Sequence, residues 1–183
     1  MSESEDVVSA RLVAVFDEAD ATLDWVELAE GPAVVRLARL RQALVAAGFG
    51  SLAIAAMTLT VEGGPAVPAV VSRSCREATD LLDDAIGPQL AARWRIDAIA
   101  DQLSPEGLGL GSEPVSVAVM EQALARIESI IDRAVGALEL IAEDDSVLPE
   151  LRDAAADAVV VFDDLEDLDD VATTPGPVPS QQD

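Results

Sequence analysis

The sequence predicts an all-α protein: a single-domain helical bundle of about six helices arranged round a central apolar helix. Three observations carry that expectation. Apolar residues recur at steps of three and four along most of the chain, which is the spacing of one helix face. No segment alternates with a period of two, and the β-branched run Val159-Val160-Val161 sits inside a longer helical pattern. The apolar residues are mainly Ala, Val, Leu and Ile, with only three Phe and two Trp among 183 residues, a set that suits close helix-on-helix packing. Half of the residues are hydrophobic, too many for a disordered chain despite the net charge of −24. This length fits one domain with a substantial core, read here as residues 1–171, followed by a disordered tail over 172–183.

The first helix is read from Val8, Leu12, Phe16, Ala19, Leu23 and Val26, with most acids on other faces. Gly31-Pro32 breaks it, and a second helix opens at Pro32, a favourable first-turn residue, and reaches about Ala47. Residues 42–61 carry no charge and form the central apolar helix. Twenty uncharged residues after three arginines also reach membrane-spanning length. The abundance of Ala, Gly, Ser and Thr, and a bend expected at Gly48-Phe49-Gly50-Ser51, favour a buried helix over a span. Gly63-Gly64-Pro65-Ala66-Val67-Pro68 reads as a loop.

Val71, Cys75, Ala78, Leu82 and Ile86 mark the next helix, which Gly87-Pro88 ends. A further helix is expected from about Gln89 to Leu103, then a connector, SPEGLGLG, over 104–111. That connector lacks the Gly-Lys-Ser/Thr ending and the preceding strand of a phosphate loop. The longest periodic run lies between Pro114 and Glu143. After Asp144-Asp145-Ser146, a last helix starts with Ser146 as cap and Pro149 in its first turn, and ends in DDLEDLDD, 163–170.

Composition restricts chemistry more sharply than it restricts fold. There is no histidine, lysine or tyrosine, so imidazole acid–base catalysis, imidazole metal ligation, Schiff-base formation and the phosphate-loop lysine are all excluded. Di-iron sites built on Glu-x-x-His are excluded with them. The net charge opposes direct binding of nucleic acid. Acid enrichment with arginine as the sole basic residue fits a salt-adapted cytoplasm and a GC-rich genome equally, so it describes the host. With one cysteine and an acidic opening segment, a cytoplasmic protein is expected, non-catalytic and without cofactors.

The charge is unevenly distributed. Residues 1–30 sum to −8, residues 31–103 to zero and residues 104–183 to −16. The neutral middle is therefore the expected place for a protein partner or for self-association, with Arg36, Arg39, Arg41, Arg73, Arg76 and Trp94 as partner- or anion-binding candidates. The alternative is that these arginines pair with the protein's own acids. Cys75 lies between Arg73 and Arg76, which would lower its pKa, but also on an apolar helix face, where cysteine acts as a small hydrophobe. DDLEDLDD could dock on a basic partner or form a solvated helix end that frays.

Carboxylates four apart share a helix face, and Asp80 with Asp84 and Glu128 with Asp132 are such pairs. So many acids produce pairs of this kind by chance, so the spacing alone defines no site. The segment ALARIESIIDRAVGALELI resembles the metal-binding helices of phosphate-regulatory PhoU-type bundles in its rhythm of acids and apolar residues. The resemblance implies a metal-binding regulator as one alternative. A membrane-associated or particle-structural protein using 42–61 is the other. The leading expectation is a regulatory or adaptor protein that acts through protein contacts.

Overall fold

The computed structural model describes residues 3–58, 67–89 and 117–172. Among these residues there are five helices and no strand: α1 (Glu3–Glu27), α2 (Ala33–Thr58), α3 (Val67–Ile86), α4 (Val117–Ala142) and α5 (Pro149–Ala172). The helix expected to Leu103, the connector at 104–111 and the tail beyond Ala172 lie outside the described residues.

The α1–α2 break falls where Gly31-Pro32 places it. Ala29 adopts a left-handed conformation, φ 54°, and its N–H donates to the Val26 carbonyl at 2.8 Å, closing α1. Gly31 also has positive φ, 78°, and passes under the Trp25 ring. The Pro32 carbonyl then accepts from the N–H groups of Val35 and Arg36, which starts α2. At α3, Pro68 belongs to the first helical turn rather than to the preceding loop, since a first-turn proline has no helical N–H bond to lose.

The bend expected at Gly48-Phe49-Gly50-Ser51 is absent. The two helices read as ending near Ala47 and spanning 42–61 form one continuous α2. The glycines serve packing instead. A Cβ on Gly48 would stand 3.0 Å from the Cβ of Cys75 in α3, and one on Gly50 would stand 2.7 Å from the Phe16 ring of α1. Gly48 therefore brings α2 close to α3, while Gly50 brings it close to α1. Ser51, fully buried between them, donates to the Ala47 carbonyl at 2.9 Å, so its hydroxyl is satisfied within the helix.

The α2 helix packs against α1, α3 and α4, and α5 packs against α3 and α4. Phe16 and Leu23 of α1, Leu37, Leu40, Leu44 and Ile54 of α2, and Leu82 and Ile86 of α3 are fully buried. So are Ile127, Ile130, Leu138 and Ile141 of α4. These side chains form one core, completed from α5 by Leu151, Ala155, Ala158 and Phe162. At α5, Ser146 turns back on Asp144: its N–H and Oγ both bond to Asp144 Oδ1, at 2.9 and 2.6 Å. The cap expected of Ser146 is thus replaced by an aspartate-led turn. Leu148 supplies the first helical carbonyl, accepting from Leu151 and Arg152. The helix continues through DDLEDLDD to Ala172.

Candidate functional site

The three arginines of α2 stand at positions 36, 39 and 41, and steps of three and two point them in different directions round a helix. Arg41 faces α3, where Nε and Nη2 grip the Asp83 carboxylate, the Nη2–Oδ2 bond being 2.8 Å. Arg39 lies over Trp25 of α1, 5.7 Å from the ring centroid. Arg36 faces the α4–α5 turn, and its Nε is buried without a hydrogen-bond partner. The fold therefore distributes these side chains over three surroundings. Arg73 and Arg76 are exposed on α3, and Trp94 lies outside the described residues.

Arg36 opens onto a cleft of about 410 Å³ at the end of the molecule where α2 and α5 begin. Its other walls include Val34, Gln89, Asp144, Val147 and Leu151. The hydrogen bonds from Ser146 lower the Asp144 pKa, and the charges of Arg36 and Arg152 act in the same direction. The cleft therefore presents both signs of charge, Arg36 and the Asp144 carboxylate.

Between α2 and α3 lies a second, apolar groove, with a pocket of about 140 Å³. Val45, Phe49 and Leu52 line it from α2, and Ser72, Cys75, Arg76 and Thr79 from α3. The Thr79 hydroxyl donates to the Cys75 carbonyl at 2.6 Å, so its proton is satisfied within its own helix. Cys75 is only 1 % exposed, and burial pushes its thiol up to about 12. At that value the thiolate is scarce at neutral pH, and the flanking Arg73 and Arg76 do not offset the loss of solvation.

The strongest electrostatic feature is a ladder between α1 and α4 that involves Arg126 and Arg133, neither of which the sequence singles out. Arg126 pairs with Asp17 at 2.9 Å and with Asp20. Arg133 pairs with Asp20 at 3.1 Å, Asp24 at 2.6 Å and Glu27 at 2.7 Å. Because both residue numbers rise together along the ladder, α1 and α4 run parallel. Hydrogen bonding to Glu27 raises the Arg133 pKa most, against a smaller opposing effect of burial. The same bond holds the Glu27 carboxyl below its ordinary range. Arg126 also lies over Phe16, 5.6 Å from the ring centroid. Acids at 17, 20, 24 and 27 do share one helical face, and arginines at 126 and 133 share another. The pairing of those two faces is a property of the tertiary fold, invisible in either spacing alone.

Asp80 and Asp84 are exposed on α3, and Glu128 and Asp132 are exposed on α4. The packed helix pairs do not include α3 with α4, so the fold does not bring the two carboxylate pairs together. Among the described residues, no group of three or more Asp, Glu or Cys side chains is arranged to hold a metal ion.

No family model, curated protein or solved structure matches this chain. The functional reading therefore rests on its own surfaces. One helical stretch, Ala33–Ile54, is long and apolar enough to cross a membrane by length and composition, and 67 % of its apolar window is buried inside the protein. The α2–α3 surface is the most distinctive: α2 contains no acidic residue at all, in a chain that has 35.

Proposed function

We propose that this is a non-catalytic regulatory or adaptor protein that works through protein–protein contacts made by the α2–α3 face. The observation that carries the reading is the acid-free α2, which together with the exposed Arg73 and Arg76 of α3 borders an apolar groove, within a molecule of net charge −24. Charged residues are depleted at the centres of protein interfaces, and arginine and large apolar groups are enriched there. The acidic surfaces elsewhere would keep such an assembly soluble. The raised pKa of Cys75 argues against thiol catalysis, and no cofactor is invoked. The reading takes the chain as a single cytoplasmic domain of about six helices, the sixth over 89–103, with a tail from 172.

The length and composition of Ala33–Ile54 favour membrane association as the second reading. A tagged chain captured from native-host lysate, with soluble and membrane fractions analysed separately by mass spectrometry, distinguishes the two. The expected result is a reproducible soluble partner that is lost when Arg73 and Arg76 are both changed to Glu. Replacing Arg39 and Arg41 would be a poorer test, because both changes break internal contacts. Recovery solely with membrane proteins, or capture that ignores the double change, would overturn the α2–α3 reading.

A further inference from the structure

The groove between α2 and α3 restricts what can occupy it through size, shape and charge. Its pocket of about 140 Å³ is close to the roughly 150 Å³ of an apolar cavity that takes one benzene ring, so it has room for one large apolar side chain. On α2, Val45, Phe49 and Leu52 follow steps of four and three and form a straight stripe. That stripe is about 10 Å long, nearly two turns of an opposing helix. Leu52 is 36 % exposed, so the stripe reaches solvent at that end.

The one charged side chain that lines the groove, Arg76, is opposite in sign to the net charge of the molecule. The groove's α2 wall has no acid along the whole helix. Its α3 wall carries Arg76, with Arg73 exposed one turn earlier. Asp83, which would otherwise add negative charge, is held by Arg41. Asp80 is exposed one turn beyond Arg76, with Glu77 further round α3. The basic end of the groove is therefore the end defined by Arg73 and Arg76.

We infer that this groove docks an amphipathic helix from a partner protein, with one large apolar side chain in the pocket over Gly48 and Cys75 and acidic residues beside it against Arg76 and Arg73. Helix-in-groove recognition uses this combination of a spaced apolar anchor and flanking charge. The inference deepens the partner-binding reading and rests on it.

Two fluorescent helix-forming peptides test it on the full chain. Both carry leucines spaced three and four apart; one has glutamates flanking the leucines and the other has lysines. At physiological salt, where screening acts over about 8 Å, the net charge of the protein favours the lysine peptide and the groove favours the glutamate peptide. The expected result is that the glutamate peptide binds at least about tenfold more tightly. Arg76→Glu should reverse that preference, and Leu52→Asp should abolish binding of both peptides. Circular dichroism confirms that these surface variants remain folded. Preference for the lysine peptide, or glutamate-peptide binding that ignores Arg76→Glu, overturns the inference.

Two other occupants have their own signatures, and either would overturn it. A monomer–dimer equilibrium abolished by Leu52→Asp, with no peptide binding, gives the groove to a second copy of the chain. A shift in Trp94 emission caused by Leu52→Asp in a Trp25→Phe background gives it to residues 90–103 of the same chain. If lysate capture finds a partner that is lost on changing both Arg73 and Arg76 to Glu while neither peptide binds, the helix-in-groove assignment falls and the α2–α3 partner-binding reading stands. If both experiments find nothing, both fall.

Discussion

At the scale of single residues, two glycines at helix interiors call for opposite outcomes. Gly50 faces the Phe16 ring, so Gly50→Ala forces a 2.7 Å contact that one of the two helices must relieve. A loss of about 1–3 kcal/mol is expected from overpacking of this kind. Gly136, inside α4, has nothing within 4 Å of where a Cβ would stand. Gly136→Ala should therefore stabilise by about 0.5–1 kcal/mol through helix propensity alone. Urea unfolding of the two variants checks both the sign and the size. The turn offers a third case, since Ala29 holds a conformation that glycine adopts freely. Ala29→Gly should raise Tm by about 2 °C, as the relief of left-handed strain exceeds the added chain entropy. Cys75 predicts a kinetic result: thiol-reactive reagents at pH 8 should modify it slowly in the native protein and rapidly once urea unfolds the chain.

At the scale of helices, the α1–α4 ladder is the main electrostatic element, and its pH dependence follows from Glu27. Hydrogen bonding from Arg133 lowers that carboxyl below its ordinary 4.5, so the folded state takes up the proton less readily than the unfolded chain. The associated stability is present in full above the unfolded value and is lost as pH falls through the lower folded value. Arg133→Met should cost about 1–2 kcal/mol at neutral pH, since three partly exposed partners lose their shared cation. That difference should shrink as pH falls below 4.5 and also at high salt, as chemical unfolding across pH and ionic strength would report.

The helices were legible in the chain to different degrees. Gly31-Pro32 and Gly87-Pro88 mark real ends because proline and glycine act locally, whatever the rest of the fold does. The periodic stretch near 114–143 emerges as α4 with ends shifted by no more than a turn among the described residues. A bend is expected at Gly48 and Gly50 because a glycine that permits close helix approach and one that bends a helix look the same in sequence. Only the positions of Cys75 and Phe16 distinguish the two roles. The ladder is illegible for a similar reason: it needs α1 and α4 to be parallel neighbours, and the residues it pairs lie 106 to 113 positions apart. At the candidate site, the neutral character of the middle segment was readable from charge alone. The separation of Arg36, Arg39 and Arg41 into three surroundings became visible with their partners Asp83 and Trp25.

At the scale of the whole molecule, opposing electrostatic effects meet. The net charge of −24 produces self-repulsion that salt relieves, while the Arg126 and Arg133 pairs weaken as salt rises. The repulsion is spread over the whole molecule, whereas the ladder is confined to one helix pair. Tm should therefore rise between low and moderate ionic strength in the wild type, and rise more steeply in Arg133→Met, as calorimetry across a salt series would show. Within that negative field, the acid-free α2 and the Arg73–Arg76 end of α3 form a local exception. That exception is what the proposed function rests on.

Hydrogen–deuterium exchange on the chain alone and in complex with a partner captured from the native host shows which helices the partner covers. Added protection is expected over residues 42–52 of α2 and 69–79 of α3, with the exchange of α1 and α5 unchanged. Protection on the acidic faces of α1 or α5, with the α2–α3 groove exchanging as freely as in the isolated chain, would contradict the α2–α3 reading.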